Sequence, residues 1–462
     1  MSLNTSEKKI SISGRAVSRR QFLQVSAAGA AAMLAGCATN PVTGKKQLMF
    51  VSEDAEIKTD LQYSPHQVSS DYGALQDEAL NRYIAEVGDK LASVSHRPNM
   101  PYSFRGVNAV YVNAYAFPGG SIAITRGMLL AMNSEAELAA VMGHEIGHVC
   151  SRHTAQSMTQ GYMCQGGLIL TGLIVNTATN GKYKDWVDMG SGLGSIGAGA
   201  LLARYSRAHE READGLSLKY MTAGGYNPQG AVDLMDLLRK LSKSNPNVIE
   251  MLFATHPMSE ERYQTMLQES RSTYAQHSAL PLHREIYLDR TASLRAMKGA
   301  IEKMQKGEEA LADKKLNDAD TFLTSALKLA PDDYAGLLLM ARLRLAQKKW
   351  AEAERLAGDA RAVYPREPQS YYLSGMAKVK AKRFDPAYKD FGDYERMLPG
   401  NPNTIFYLGY CEEGLGRREA AANHYKTYVE NSNETEEHKY AYQRLLEWGY
   451  IQPPAAQGQK SS

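Results

Sequence analysis

The apolar positions of this chain change period several times, and each change marks an element. Leu75, Leu80, Ile84, Val87 and Leu91 recur at helical spacing, so residues 74–95 are predicted to form an amphipathic helix. Residues 102–112 and 121–125 are rich in Val, Tyr, Phe and Ile and read as strands, with Pro118-Gly119-Gly120 as the turn between them. A long helix follows. Ser134 caps it, Glu137 completes a capping box, and Leu138, Val141, Met142 and Val149 supply its apolar stripe. Residues 160–200 alternate glycine with small apolar residues and break at Asn180-Gly181-Lys182; they fit either a glycine-loosened helical excursion or a packing loop. Further helices are expected from about Ser206 to Ala223, stopping at Gly224-Gly225, and over 228–245. Thr255-His256-Pro257 breaks the pattern before a helix carrying Glu261 and Arg262. Residues 40–70 are polar and show only a turn at Asn40-Pro41-Val42-Thr43-Gly44.

The last third repeats itself with a period of 34 residues. Ala319, Ala353, Ala387 and Ala421 are in phase, as are Leu316, Trp350, Phe384 and Arg418 three positions before them. Gly307, Ala341, Gly375 and Gly409 mark small positions, and Pro331, Pro365, Pro399 and Asn433 close the units. A small residue where two helices touch, then a bulky residue, an Ala and a Pro is the tetratricopeptide pattern. Four units exceed the three that such arrays need to bury a continuous core, and residues 436–449 read as a capping helix. The fold class expected is mainly α with a small β-sheet: a zincin-like domain over 71–290, then an α-solenoid over 300–450.

Composition narrows the remaining options. The chain has 462 residues, 44% hydrophobic and 22% charged, which excludes disorder and a disulfide mini-scaffold and fits two or three domains. Mean hydropathy is −0.41, and no apolar run reaches the roughly 20 residues of a spanning helix. The net charge of +3 gives no sign of a nucleic-acid surface. Residues 1–36 read as an export signal: Ser18-Arg19-Arg20-Gln21-Phe22-Leu23 looks like a twin-arginine motif, and a short apolar stretch from Val25 to Ala35 follows it. Leu34-Ala35-Gly36-Cys37 resembles a bacterial lipobox, with Cys37 as the lipidated first residue of the mature chain. Ala38 after it points to the outer membrane. The signal carries five basic residues and one acidic residue, so the mature chain from residue 37 would carry −1. Segment 37–70 then links the anchor to the first domain. Of the other cysteines, Cys150 and Cys164 are the only locally plausible pair, and free buried thiols fit equally well; Cys411 stands apart.

The chemistry centres on His144-Glu145-Ile146-Gly147-His148 in the capped helix. Two His four residues apart share one helix face and can bind one zinc, leaving Glu145 beside an open coordination position. A catalytic zinc takes three protein ligands plus water. In His209-Glu210-Arg211-Glu212-Ala213-Asp214, Glu210 and Asp214 share a face; one carboxylate can ligate while the other holds a ligand imidazole. Glu212 reads as a solvated charge, His209 as a rival ligand, and His153 lacks the spacing of the metzincin pattern.

Together these two segments resemble the CAAX-prenyl-protease/HtpX-like family of zinc metallopeptidases. Asn40-Pro41-Val42-Thr43-Gly44-Lys45-Lys46-Gln47-Leu48 and Thr255-His256-Pro257 are similar to its periplasmic, non-spanning branch. The resemblance implies one zinc held by His144, His148 and Glu210, with Glu145 as catalytic base and Asp214 behind the ligands. It implies unfolded or extended protein substrates and quality control of outer-membrane proteins, with the repeats docking on assembly machinery. His256 is expected to act either as an oxyanion donor or as a movable fourth ligand. Asn113-Ala114-Tyr115-Ala116 resembles the edge strand with which zincins pair an extended peptide. The rival expectation is a lipid-anchored chaperone or scaffold with a vestigial or latent metal site.

Overall fold

The computed structural model describes residues 10–12, 15–17, 37–164, 205–432 and 435–452. The twin-arginine motif, lipobox residues 34–36, most of the glycine-rich stretch and Asn433 lie outside them, as do the side chains of Cys37 and Cys164. Cys150 and Cys411 are buried free thiols.

The first helix, α1 (Glu53–Ser70), occupies the polar segment in which the sequence shows only a turn. Hydrophobic periodicity misses it because the face it buries is polar: Glu56, Asp60, Ser64, His66, Gln67 and Ser69. Its contacts are ionic and hydrogen-bonded instead. Glu56 accepts from Arg97 (3.1 Å) and Arg152 (3.1 Å), and Asp60 accepts from the Ser121 amide (2.8 Å). α2 (Glu78–Ser93) follows the predicted period and buries Leu80, Ile84, Val87 and Leu91.

Three short strands come next: β1 (Ser103–Val107), β2 (Ala114–Ala116) and β3 (Ser121–Thr125). Their order is β1-β3-β2, with β1 parallel and β2 antiparallel to β3. The strand expected over 102–112 is thus shorter. The chain leaves the sheet after Val107 and returns on the far side of β3, so β2 is an edge. Asn113 and Phe117 flank β2 and exchange ladder bonds with Thr125 (3.0 Å) and Ser121 (2.8 Å). Antiparallel pairs alternate, so the N–H and C=O groups of Ala114 and Ala116 point out of the sheet along this edge.

α3 (Arg126–Ala131) leads to α4 (Glu135–Cys150), the helix announced by the capping box. Ser134 accepts from the Glu137 amide (3.2 Å), and the Glu137 carboxylate reaches back to the Asn133 amide (3.0 Å). Every residue of α4 is buried except His144. α5 (His153–Cys164) follows it, and then α6 (Arg207–Ala223), α7 (Gln229–Ser244), α8 (Pro246–Thr255) and α9 (Glu260–Arg271). α6 packs directly on α4. A Cβ at Gly143 would lie 3.2 Å from Ser217 Cα, and one at Gly147 3.3 Å from Ala213 Cα. The two glycines therefore let the helices approach closely enough for their side chains to share one centre.

Short helices α10 (Arg284–Arg290) and α11 (Ala292–Ala296) lead into the repeats. These are the hairpins α12 (Lys298–Ala312) with α13 (Leu316–Leu329), α14 (Tyr334–Ala346) with α15 (Trp350–Val363), α16 (Gln369–Lys380) with α17 (Phe384–Met397), and α18 (Pro402–Gly414) with α19 (Arg418–Asn431). α20 (Glu436–Glu447) caps them. Ala319, Ala353, Ala387 and Ala421 are fully buried where the helices touch. The 34-residue period also reaches the backbone: Lys314, Lys348, Lys382 and Gly416, one per unit, all have left-handed φ between 57° and 74°.

The repeats are joined to the first domain by buried polar contacts. Arg126 of α3 donates to both oxygens of Asp333 (2.6 and 3.0 Å), the residue that caps α14. Ser69 at the end of α1 donates to Glu367 (2.5 Å). Tyr72 donates to Glu308 (3.4 Å) and accepts from Arg342 (2.7 Å). Asp71 beside it accepts from Tyr111 (2.7 Å) and from Tyr115 of β2 (2.6 Å).

Candidate metal centre

The close crossing of α4 and α6, together with the end of α8, brings four side chains to one point. One ligand atom each from His144, His148, Glu210 and His256 lies within 4.8 Å of the others. His148 Nε2 is 3.0 Å from His144 Nε2 and 3.5 Å from Glu210 Oε1. His256 Nδ1 is 3.1 Å from Glu210 Oε1 and 3.4 Å from His144 Nε2. Three imidazole nitrogens and a carboxylate facing one another in a buried space are a donor set for a borderline divalent cation such as zinc. Burial and the neighbouring imidazoles hold His148 well below its usual range, which keeps its lone pair free.

Each donor is held from behind. His144 Nδ1 is 3.1 Å from Asp214 Oδ1, which turns its Nε2 towards the centre. Arg262 of α9 grips Asp214 with two hydrogen bonds of 2.7 Å and lies 2.6 Å from Glu210 Oε2. It also donates to the Pro257 carbonyl (3.0 Å), one residue past His256. Burial alone would raise both carboxylates, but Arg262 and the imidazoles outweigh it and hold Glu210 and Asp214 below the usual range. On the other side, His148 Nδ1 meets His153 Nδ1 at 2.9 Å, and His153 Nε2 lies 3.4 Å from Glu212. Tyr205 stacks on the His148 ring at 3.8 Å.

Two sequence expectations change here. Glu212 is not a free solvated charge; it accepts from Ser151 (2.9 Å) and faces His153. His209 does not join the donor set but stacks on His153 at 4.2 Å. The sequence analysis assigned no part to His153, Arg262 or Tyr205. His153 carried a signal, five residues past His148, but its partner was sought among ligands rather than behind them. Arg262 carried none, because its carboxylate partners are 48 and 52 residues away.

Glu145 lies beside the donors, 2% exposed, with Oε1 3.8 Å from His256 Nε2 and no hydrogen-bond partner for Oε2. Burial pushes its pKa up. A buried carboxylate with a free oxygen next to a metal donor set is poised to take a proton from a bound molecule. Ala114 of the β2 edge lines the same cleft as His144 and Glu145. Asn113 is buried, with its backbone in the ladder to β3 and its Oδ1 without a partner.

Comparison with known proteins agrees with this geometry. Residues 78–270 match the profile of Peptidase family M48, and residues 310–379 match that of a tetratricopeptide repeat. The chain carries an M48 peptidase domain followed by tetratricopeptide repeats. It is 31% identical over 229 residues to a Vibrio cholerae protein named as a beta-barrel assembly-enhancing protease, covering 47% of this chain and 44% of that one. The mitochondrial metalloendopeptidase OMA1 of Arabidopsis thaliana is 26% identical over 249 residues, 54% of this chain and 46% of its own. Metalloprotease YcaL of Escherichia coli is 32% identical over 164 residues, 36% of this chain and 60% of its own. The match spans less than half the length of the first two relatives. The M48 domain bears out the family resemblance read from the motifs. It implies a bound metal, and the donors found together in the cleft fit one.

Proposed function

We propose that this chain is a zinc-dependent endopeptidase of the bacterial envelope that degrades misfolded or unassembled outer-membrane and periplasmic proteins. The observation that carries the reading is the meeting of His144, His148 and Glu210 at one point with the free Glu145 carboxylate beside them. Zinc, when bound, supplies Lewis acidity that activates water and polarises a peptide carbonyl near neutral pH. Glu145 takes the proton of the attacking water and returns it to the leaving amine. Asp214 and Arg262 keep the His144 ring in place, and His153 with Glu212 does the same for His148. The open edge of β2 at Ala114 and Ala116 pairs with the backbone of an extended substrate. Only unfolded or extended segments can offer a strand to it.

His256 stands among the donors, nearer to Glu210 than to Glu145. That position favours a movable fourth ligand, a latch that closes the resting centre, over an oxyanion donor. Cys37 anchors the chain by lipid to the periplasmic face of the outer membrane, and the repeats bring it to the assembly machinery. The decisive experiment is Glu145→Gln, with zinc content and casein proteolysis measured together. The reading requires retained zinc and abolished proteolysis, with Glu210→Ala losing the metal. Full proteolysis by Glu145→Gln would refute it. Full complementation of a deletion by that variant would favour the scaffold reading.

A further inference from the structure

Beside the metal centre the cleft deepens into a pocket of about 540 Å³ that opens to solvent. It shares Ala114, His144, Glu145 and His256 with the centre, but the rest of its wall is different in kind. Met128 of α3, Val141 of α4, Met235 and Leu238 of α7, Leu252 of α8 and Met266 of α9 converge on it. The polar groups that reach the wall are already engaged. Asp214 and Arg262 bind each other (2.7 Å), and Ser217 donates to the Ala140 carbonyl (2.7 Å). No charge there is left to meet a charged guest, and burying one unpaired costs several kcal/mol.

We propose that this pocket selects the cleavage site by receiving one large apolar side chain, Leu, Met or Phe, adjacent to the scissile bond. The inference rests on the peptidase reading and adds its substrate class. An edge strand reads backbone and is blind to sequence, so the choice among bonds falls to the pocket. Methionine walls are flexible and polarisable, so the pocket accepts several apolar shapes rather than one. Such residues are the ones that folded proteins bury. A preference for misfolded chains then arises at the bond itself, with no separate recognition element.

The test uses the full-length zinc-loaded protein on a reduced, carboxymethylated protein, with cleavage sites mapped by mass spectrometry. Leu, Met or Phe is expected on one fixed side of most cut bonds. Leu238→Trp narrows the pocket and should lower cutting at those bonds about 10- to 200-fold, the range one misfitted group costs in an apolar site, while favouring bonds flanked by Ala or Gly. Met235→Ala widens it and should favour Phe and Trp, which keeps the idea testable where the Trp variant does not fold. Binding is read separately in Glu145→Gln carrying methyl-labelled methionine. N-acetyl-leucinamide should shift the Met128, Met235 and Met266 methyl signals, and N-acetyl-aspartamide should not. Cuts without side-chain preference, or a profile unmoved by either variant, would overturn the pocket. Absence of any cutting by wild type, with zinc bound, would overturn the peptidase reading beneath it.

Discussion

Replacing Arg262 by Met tests the architecture of the centre most directly. Methionine keeps much of the volume and removes the charge. Arg262 is 6% exposed and holds two carboxylates, Asp214 and Glu210, at 2.6–2.7 Å. Its loss strands negative charge in a buried site, and breaking a buried pair from one side costs about 3–5 kcal/mol. For a domain of this size each kcal/mol moves the melting temperature by about 2–4 °C, so the metal-free variant should melt about 6–20 °C lower. The pH dependence changes with it. Carboxylates held below their unfolded pKa add stability above that pKa and lose it as pH falls through the folded value. Without Arg262 both carboxylates titrate higher, so acid unfolding should begin at a higher pH. Zinc should recover part of the loss, because a cation at the centre replaces the charge beside Glu210 but not that beside Asp214. Calorimetry with chelator and with zinc, from pH 4 to pH 8, measures each term. A melting temperature within about 2 °C of wild type without metal would refute the claim that Arg262 neutralises the site.

Other consequences are more local. His256→Ala should raise proteolysis if His256 is a latch and lower it if it is an oxyanion donor; an unchanged rate removes both roles. Burial pushes Glu308 and Glu367, between the peptidase domain and the repeats, up to about 7. Both favour the protonated form, so stability should fall as pH rises from about 4.5 to about 7 and level off above. Urea titrations should find that slope flattened in Glu367→Gln. Arg126→Met leaves Asp333 buried without its partner and should cost about 3–5 kcal/mol, read as earlier unfolding of the repeats. Lys348→Gly relieves a left-handed lysine and should add up to about 1 kcal/mol, seen as a higher urea midpoint with unchanged slope.

The repeats, the capped α4 and the donors His144, His148 and Glu210 are legible in sequence because each rests on short-range spacing: 34 residues, a capping box, i to i+4. What spacing does not carry is missed. α1 escapes because it buries Glu56 and Asp60 rather than a stripe of Leu or Val. The sheet is only partly readable: β1 and β2 lie close in sequence, yet β3 inserts between them, a topology set by packing and not by periodicity. Arg262 and Glu212 look like surface charges until α6 and α9 are placed, since their partners come from other helices. His256 could be nominated from Thr255-His256-Pro257, but its place among the donors follows from α8, a helix that the sequence reading did not separate from the one before it.

The contacts of Ser69 with Glu367 and of Tyr72 with Glu308 and Arg342 bear on how such proteins can be recombined. By chain order the seam between the halves falls near residue 297. By interactions it also runs through residues 69–72, since the tail of α1 belongs as much to the superhelix as to the sheet. A chimera cut at 297 would give foreign repeats a mismatched cluster of acids and tyrosines, whereas one that carried the tail of α1 along with its repeats would keep each of these groups matched.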